Sequence, residues 1–228
     1  MTFILPSADN PLLHPDMKMF DVGPAMIVGA IILALLLGHA IYTDIFCGKI
    51  IRNEVTGATW VLGLISIPFF YENLGTYALI ILGIYFFLFF ILLSGAAKMG
   101  DIKLYAGLTL FLSWAGIYMI FLSWFVVIIY SIPIMIKTVR DNKAAGIKAE
   151  RGQRLGQAPA GPAIVIAFYL TLAFMGVSLE YVGGMALISV ATATLFFLFD
   201  KKGRAKMLAE RDERVAEREA EKLAESNG

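Results

Sequence analysis

Long uninterrupted apolar runs constrain this chain more than any other feature. Of its 228 residues, 59% are hydrophobic and 16% are charged. A soluble domain has no core large enough to bury that much apolar surface. A helix that spans a membrane needs about 20 consecutive apolar residues, with about 17 as a lower bound. The runs therefore predict an all-α fold, a polytopic helical membrane bundle.

Seven apolar segments divide the chain. They lie at residues 22–43, 55–71, 74–95, 102–113, 116–136, 161–179 and 182–199. The second segment is marginal in length, and the fourth is too short to cross a bilayer alone. The fourth and fifth are separated only by the residues around Trp114, so they form either one strongly tilted helix or two helices with a tight bend. We expect two helices, which gives seven transmembrane helices, with six as the alternative.

Basic residues set the orientation, because lysine and arginine concentrate in cytoplasmic loops. With seven spans and the N-terminus outside, every basic residue except Lys18 falls on the cytoplasmic side. This predicts an extracytoplasmic segment at 1–21 and a transmembrane domain at 22–199 with a basic cytoplasmic loop at 137–160. A charged, solvated helical tail at 200–228 follows in the cytoplasm. The predicted location is the cell membrane.

Two acidic residues at the predicted cytoplasmic boundary are candidate catalytic groups. Asp44 closes the first apolar run, where the negative end of the helix dipole disfavours a carboxylate. Asp101 precedes the fourth run, where an aspartate also serves as an ordinary helix cap. Ionisable groups at membrane depth are costly and commonly functional. Two carboxylates that converge share a proton, so one activates a water while the other polarises a carbonyl. The pair predicts an intramembrane aspartyl protease.

Other protease chemistries find little support in the residue inventory. The chain has two histidines, His14 and His39, and no H-E-x-x-H motif, so a zinc protease is not supported. His39 lies in the first span, where packing or hydrogen bonding within the bundle is the simpler role. The single cysteine, Cys47, has no second histidine nearby and is interpreted as a small interfacial residue. We predict no cofactor and no metal.

Three short motifs resemble, in order, those of the type IV prepilin peptidase family. Residues 44–53 (DIFCGKIIRN) resemble the D-x5-I-P-N segment of that family, and residues 98–104 (KMGDIKL) resemble its G-x-G-D-x-K-L signature. Residues 158–164 (APAGPAI) are similar to the P-x-G-P-A-I stretch that follows the basic loop in the short members. Three features depart from these patterns: Arg52 replaces a proline, Asn53 lies one residue further from Asp44 than is usual, and Lys98 replaces the first glycine.

The resemblance implies a GxGD-type aspartyl endopeptidase of the short, peptidase-only type. Such enzymes cleave the leader peptide of prepilin-like or preflagellin-like proteins at the cytoplasmic membrane boundary, and Asp44 and Asp101 would be the catalytic pair. Because the chain has one cysteine and no cysteine-bearing insertion, the methyltransferase activity of larger relatives is not expected. The implied partners are the protein substrate and membrane lipid, with no nucleic acid.

Four further residues are candidates for supporting roles. Gly95 and Gly100 allow the acid-bearing loop to bend or to approach a substrate backbone. Lys103 either tunes Asp101 or reaches the lipid headgroups, the latter being the simpler role. Asn53 is expected to hydrogen-bond the active-site loop.

Two rival interpretations stay open at this stage. A presenilin-type GxGD protease would have a Tyr-Asp pair and a P-A-L motif, whereas here Thr43 separates Tyr42 from Asp44 and P-A-L is absent. A non-catalytic membrane component or small transporter of a pilus or secretion system would place polar residues near the middle of the membrane, often in broken helices. A homologue without catalytic activity is a further alternative, because of Arg52 and Lys98.

Overall fold

The computed structural model describes residues 24–47, 53–70, 73–95, 97, 99–144, 160–209 and 213. Within these ranges the chain is almost entirely helical and has no strand, which confirms the all-α prediction. The predicted segment 1–21 and most of the tail beyond residue 209 lie outside the described residues. The α-helices in these ranges include α1 (Pro24–Phe46), α2 (Asn53–Phe70), α3 (Leu74–Leu93), α4 (Met99–Leu112), α5 (Gly116–Ala144), α6 (Gly161–Phe174) and α7 (Leu179–Phe199).

The seven apolar segments each correspond to one of these helices, but two boundaries differ in a way that matters for function. Helix α4 begins at Met99, so Asp101 lies inside its first turn and does not precede the helix. Helix α5 continues to Ala144 and takes in the first part of the predicted 137–160 loop. Both differences arise because polar residues extend a helix beyond the apolar run that a lipid-based criterion detects.

A sharp turn separates α4 from α5. Ser113–Ala115 forms a short 3-10 helix, and Ser113 has a positive φ of 48°. The hydroxyl oxygens of Tyr105 and Ser123 lie 2.5 Å apart across the two helices. In one straight helix residues this far apart in sequence would be separated by about 27 Å. The two helices are therefore antiparallel, and the alternative of a single tilted helix is wrong.

Hydrogen bonds between α3 and α4 show that these neighbours are antiparallel too. The Tyr77 hydroxyl donates to the Leu110 carbonyl oxygen at 2.9 Å, and the Tyr85 hydroxyl donates to that of Ala106 at 3.0 Å. The later residue of α3 thus contacts the earlier residue of α4. The C-terminal end of α3 consequently lies beside the N-terminal end of α4.

Helices α1 and α7 run parallel, with α6 antiparallel to both. The Ser189 hydroxyl donates to the Ala34 carbonyl oxygen at 2.7 Å, and the Tyr42 hydroxyl donates to the Asp200 carboxylate at 3.3 Å. Tyr169 of α6 contacts Ser189 at 2.6 Å, level with Ala34. The start of α6 contacts the end of α1, as described below.

These contacts place six helix ends together. Helices α1, α3 and α7 end there, and α2, α4 and α6 begin there. The start of α2 hydrogen-bonds α4, and α4 packs on α6 with the Phe111 and Phe168 rings 6.5 Å apart. We call this the carboxylate end of the bundle, because Asp44 and Asp101 both lie at it.

Four apolar helical stretches among the described residues are long enough to cross a membrane. They are Ile27–Phe46, Leu74–Leu93, Met99–Pro133 and Leu179–Phe199. The third runs through the turn between α4 and α5, and α6 is a shorter apolar helix of 14 residues. Large apolar side chains on the outside of the bundle, such as Leu79 and Leu187, are exposed. These features indicate a membrane protein.

Helices α1 and α7 approach each other closely at Gly38, which gives a prediction on stability. A Cβ atom there would overlap the Ser189 carbonyl oxygen and lie 2.7 Å from Thr192 Cβ, whereas nothing lies within 4 Å of one at Gly29. We expect Gly38→Ala to reduce the free energy of unfolding by about 1–3 kcal/mol through overpacking. Gly29→Ala, the control in the same helix, should be neutral or slightly stabilising. Equal unfolding midpoints for the two variants in one detergent would contradict this packing.

The beginning of the tail is attached to the carboxylate end. Residues 201–209 are helical, and Asp200 accepts a hydrogen bond from the Gly203 backbone N–H at 2.9 Å. Met207 packs against the buried cluster of Tyr42, Cys47 and Ala193. One face of this part of the tail therefore contacts the bundle, while Lys201, Lys202 and Lys206 are exposed.

Candidate active site

Asp44 and Asp101 are both buried at the carboxylate end. Each side chain has only 7% of its surface exposed. Asp44 lies in the last turn of α1, and Asp101 lies in the first turn of α4. Burial of a carboxylate is costly unless polar partners compensate it. The surroundings of each acid therefore determine what it can do.

Asp44 has a backbone partner from a distant helix. Its Oδ2 atom accepts a hydrogen bond from the Gly161 N–H, with 2.6 Å between nitrogen and oxygen. Gly161 is the first residue of α6, and the first N–H groups of a helix have no acceptor within the helix. The Asp44 carboxylate thus caps α6. The positive end of the α6 dipole offsets the unfavourable negative end of α1, which the sequence alone could not reveal.

Gly161 permits this contact because it has no side chain. A Cβ atom at this position would lie 2.8 Å from Asp44 Oδ2 and 3.2 Å from Asp44 Cβ, closer than such atoms normally approach. The residue before it, Ala160, supplies no side-chain cap, and Pro162 follows it in the first turn. In the sequence, these residues stand out only as part of the motif at 158–164. The detectable signal was a Gly-Pro pair opening a helix, where proline is favoured.

Asp101 occupies a favourable position for an acid. The first turn of a helix presents the positive end of its dipole, which stabilises a carboxylate. The neighbours along α4, Ile102, Leu104 and Tyr105, are buried. Gly100 lies within the same turn as a helical residue. Asp101 thus belongs to a rigid, packed helix instead of a loop.

Lys103 and Asn53 are joined directly to each other. The Lys103 ammonium donates to Asn53 Oδ1 at 2.9 Å, at the surface of the carboxylate end. The Trp60 indole N–H also donates to the Lys103 backbone carbonyl at 2.9 Å. These two bonds tie the first half of α2 to α4 immediately after Asp101. Asn53 therefore reaches the helix that carries the acid.

Gly95 provides the turn between α3 and α4. Its φ is +70°, in the left-handed region that side chains disfavour, and it follows the residue that caps α3. A glycine in this conformation commonly ends a helix. The turn allows the chain to reverse and to enter α4 at Met99. Gly95 thus lies at a bend before the acid-bearing helix, as its sequence position predicts.

His39 and Cys47 both pack against aromatic side chains. The His39 ring lies edge-on to Phe196, with 4.8 Å between ring centroids, and 6.1 Å from Tyr42. Cys47 is fully buried beside Tyr42. Among the residues that the structure describes, no group of three or more His, Cys, Asp or Glu side chains is placed to hold a metal ion.

The arrangement as a whole offers two buried carboxylates, each associated with a helix N-terminus, at one end of an apolar bundle. Carboxylates in such surroundings can accept or donate a proton during attack by water on an amide. Comparisons of the chain with protein-family models, with curated proteins and with solved structures find no match. Function is therefore inferred from these residues, their geometry and the three motifs.

Proposed function

We propose that this protein is a membrane-embedded aspartyl endopeptidase of the prepilin peptidase type. It cleaves the leader peptide of a prepilin-like or preflagellin-like substrate at the cytoplasmic membrane boundary. The observation that carries the proposal is the burial of Asp44 and Asp101 at the same end of the bundle. The order of the three motifs along the chain supports the same assignment.

The reaction requires one carboxylate and one carboxylic acid. The carboxylate removes a proton from a water, whose oxygen attacks the scissile carbonyl carbon, and the other acid donates its proton to the carbonyl oxygen. As the tetrahedral intermediate collapses, the C–N bond breaks and the acid that took the water proton gives it to the leaving amine. The other carboxylate takes a proton from a hydroxyl of the intermediate, which restores the starting protonation state of the pair.

The proposal includes seven transmembrane helices with the N-terminus outside. Successive helices alternate in direction where interhelical hydrogen bonds connect them, which supports seven crossings over six. The residues between α1 and α2, between α5 and α6 and after α7 carry most of the basic side chains. With seven crossings, all three stretches fall on one side of the membrane. Because such residues favour the cytoplasmic side, the two acids would face the cytoplasm.

The test is a cleavage assay with the purified protein in detergent. A purified prepilin-like protein and a purified preflagellin-like protein are the substrates, and mass spectrometry identifies the products. We expect one cut, immediately before the hydrophobic segment of one substrate class, with no effect of a metal chelator. Absence of cleavage with both classes, or loss of cleavage on chelation with recovery on adding zinc, would contradict the proposal.

A further inference from the structure

We propose that Gly161 is a positioning residue for Asp44, through its backbone N–H and through its lack of a side chain. This inference rests on the proposed function, because it assigns Gly161 a part in the same reaction. Gly161 does not have to touch the substrate. Its effect would pass entirely through the orientation of the Asp44 carboxylate.

The geometry gives the first reason. An aspartate side chain rotates about two bonds, so an unrestrained carboxylate samples several orientations. The hydrogen bond of 2.6 Å fixes Oδ2 against the backbone of α6, and both residues belong to packed helices. A carboxylate held from a second helix keeps its orientation better than one held only by its own backbone.

The charge distribution gives the second reason. At the end of α1, Asp44 faces unpaired carbonyl groups and the negative end of the dipole, which would repel a carboxylate. The α6 terminus presents N–H groups and a positive end to the same oxygen. Hydrogen bonds from backbone N–H groups to carboxylates are about twice as strong as those between neutral groups. The contact thus stabilises a charged Asp44 carboxylate in one orientation, whereas the end of α1 alone would destabilise that charge.

The absence of a side chain gives the third reason. Since a Cβ atom at Gly161 would approach Asp44 Oδ2 to 2.8 Å, even alanine must push the carboxylate or the helix aside. Pro162 has no N–H, so the next residue of α6 cannot compete for Oδ2. The Gly161 N–H therefore meets the acid without competition from the next residue.

The contact can be tested without an activity measurement. We expect the Gly161 amide proton to resonate far downfield in NMR spectra of the detergent-solubilised protein and to exchange slowly with water. Asp44→Ala should remove both properties. The Gly75 amide, which donates to the Asn73 side chain at 3.1 Å in α3, is the matched control and should not change. A Gly161 amide that is unaffected by Asp44→Ala would overturn the inference.

The functional consequence is tested with Gly161→Ala. We expect kcat for leader cleavage to fall by about 10²-fold, the usual effect of a misplacement of about 1 Å, with little change in KM. Gly183→Ala is the control, because nothing lies within 4 Å of a Cβ atom at that helical glycine. Wild-type kcat in Gly161→Ala would overturn the inference and leave the proposed function intact. If wild-type protein cleaves nothing, the proposed function fails, and the amide measurement still decides on the contact.

Discussion

Asp44→Asn and Asp101→Asn should each reduce leader cleavage by about 10²- to 10⁴-fold, the range for loss of a general acid or base. An asparagine has nearly the same shape as an aspartate but neither accepts nor donates the proton in question. Because each acid has its own place in the reaction, the remaining carboxylate cannot perform both roles. Single-turnover cleavage by purified variants, at saturating enzyme, measures this loss without interference from product release.

Asp200→Asn is the matched control for this experiment. Asp200 also lies at the carboxylate end, but it caps the helical start of the tail and contacts Tyr42. Its neutralisation should leave turnover close to the wild-type value. All variants must show the same elution from a sizing column and similar unfolding midpoints. Near-normal turnover by either the Asp44 or the Asp101 variant would show that the two carboxylates do not form a catalytic pair.

The second large effect concerns topology. In a Cys47→Ser background, we expect Asn10→Cys to react with a membrane-impermeant maleimide in intact cells, because the N-terminus is predicted to be outside. Gly146→Cys and Val215→Cys should react only after the cells are permeabilised. The reason is the concentration of basic residues in the 137–160 loop and the tail.

The labelling pattern also distinguishes the two possible span counts. Six spans would place the 137–160 loop and the tail on the opposite side from Lys49 and Arg52. External labelling at position 146 would therefore contradict the seven-span arrangement. Protection of position 10 together with external labelling of position 215 would contradict it as well. Labelling in inverted vesicles provides the control, because positions 146 and 215 should then react and position 10 should be protected.

The number and order of the helices could be predicted from the sequence, because few backbone structures are stable in lipid. A backbone surrounded by hydrocarbon must satisfy its own hydrogen bonds, so each apolar run becomes a helix. The turn between α4 and α5 could also be placed, since the fourth segment was too short to span by itself. The ends of the helices could be predicted less well. Residues 99–101 and 137–144 are helical although the apolar runs stop short of them.

The two acids could be singled out because a charge next to an apolar run is unusual. The residues that contact them could not be predicted. The contact between Asp44 and Gly161 joins residues 117 positions apart, and that between Lys103 and Asn53 joins residues 50 positions apart. Such contacts depend on which helices are neighbours, and hydropathy contains no information about that. At Asp44 the sequence consequently predicts only the unfavourable dipole of α1, whereas α6 has the opposite effect.

The proposed sharing of one proton between Asp44 and Asp101 is tested most directly by the dependence of kcat/KM on pH. The measurement uses wild-type protein in one detergent, with unfolding followed in parallel at each pH. We predict a bell-shaped profile, because the singly protonated pair is the active form and is lost on either side. The rate should fall again before lysine and cysteine side chains titrate. A rate that rises steadily into the alkaline range would contradict a shared proton.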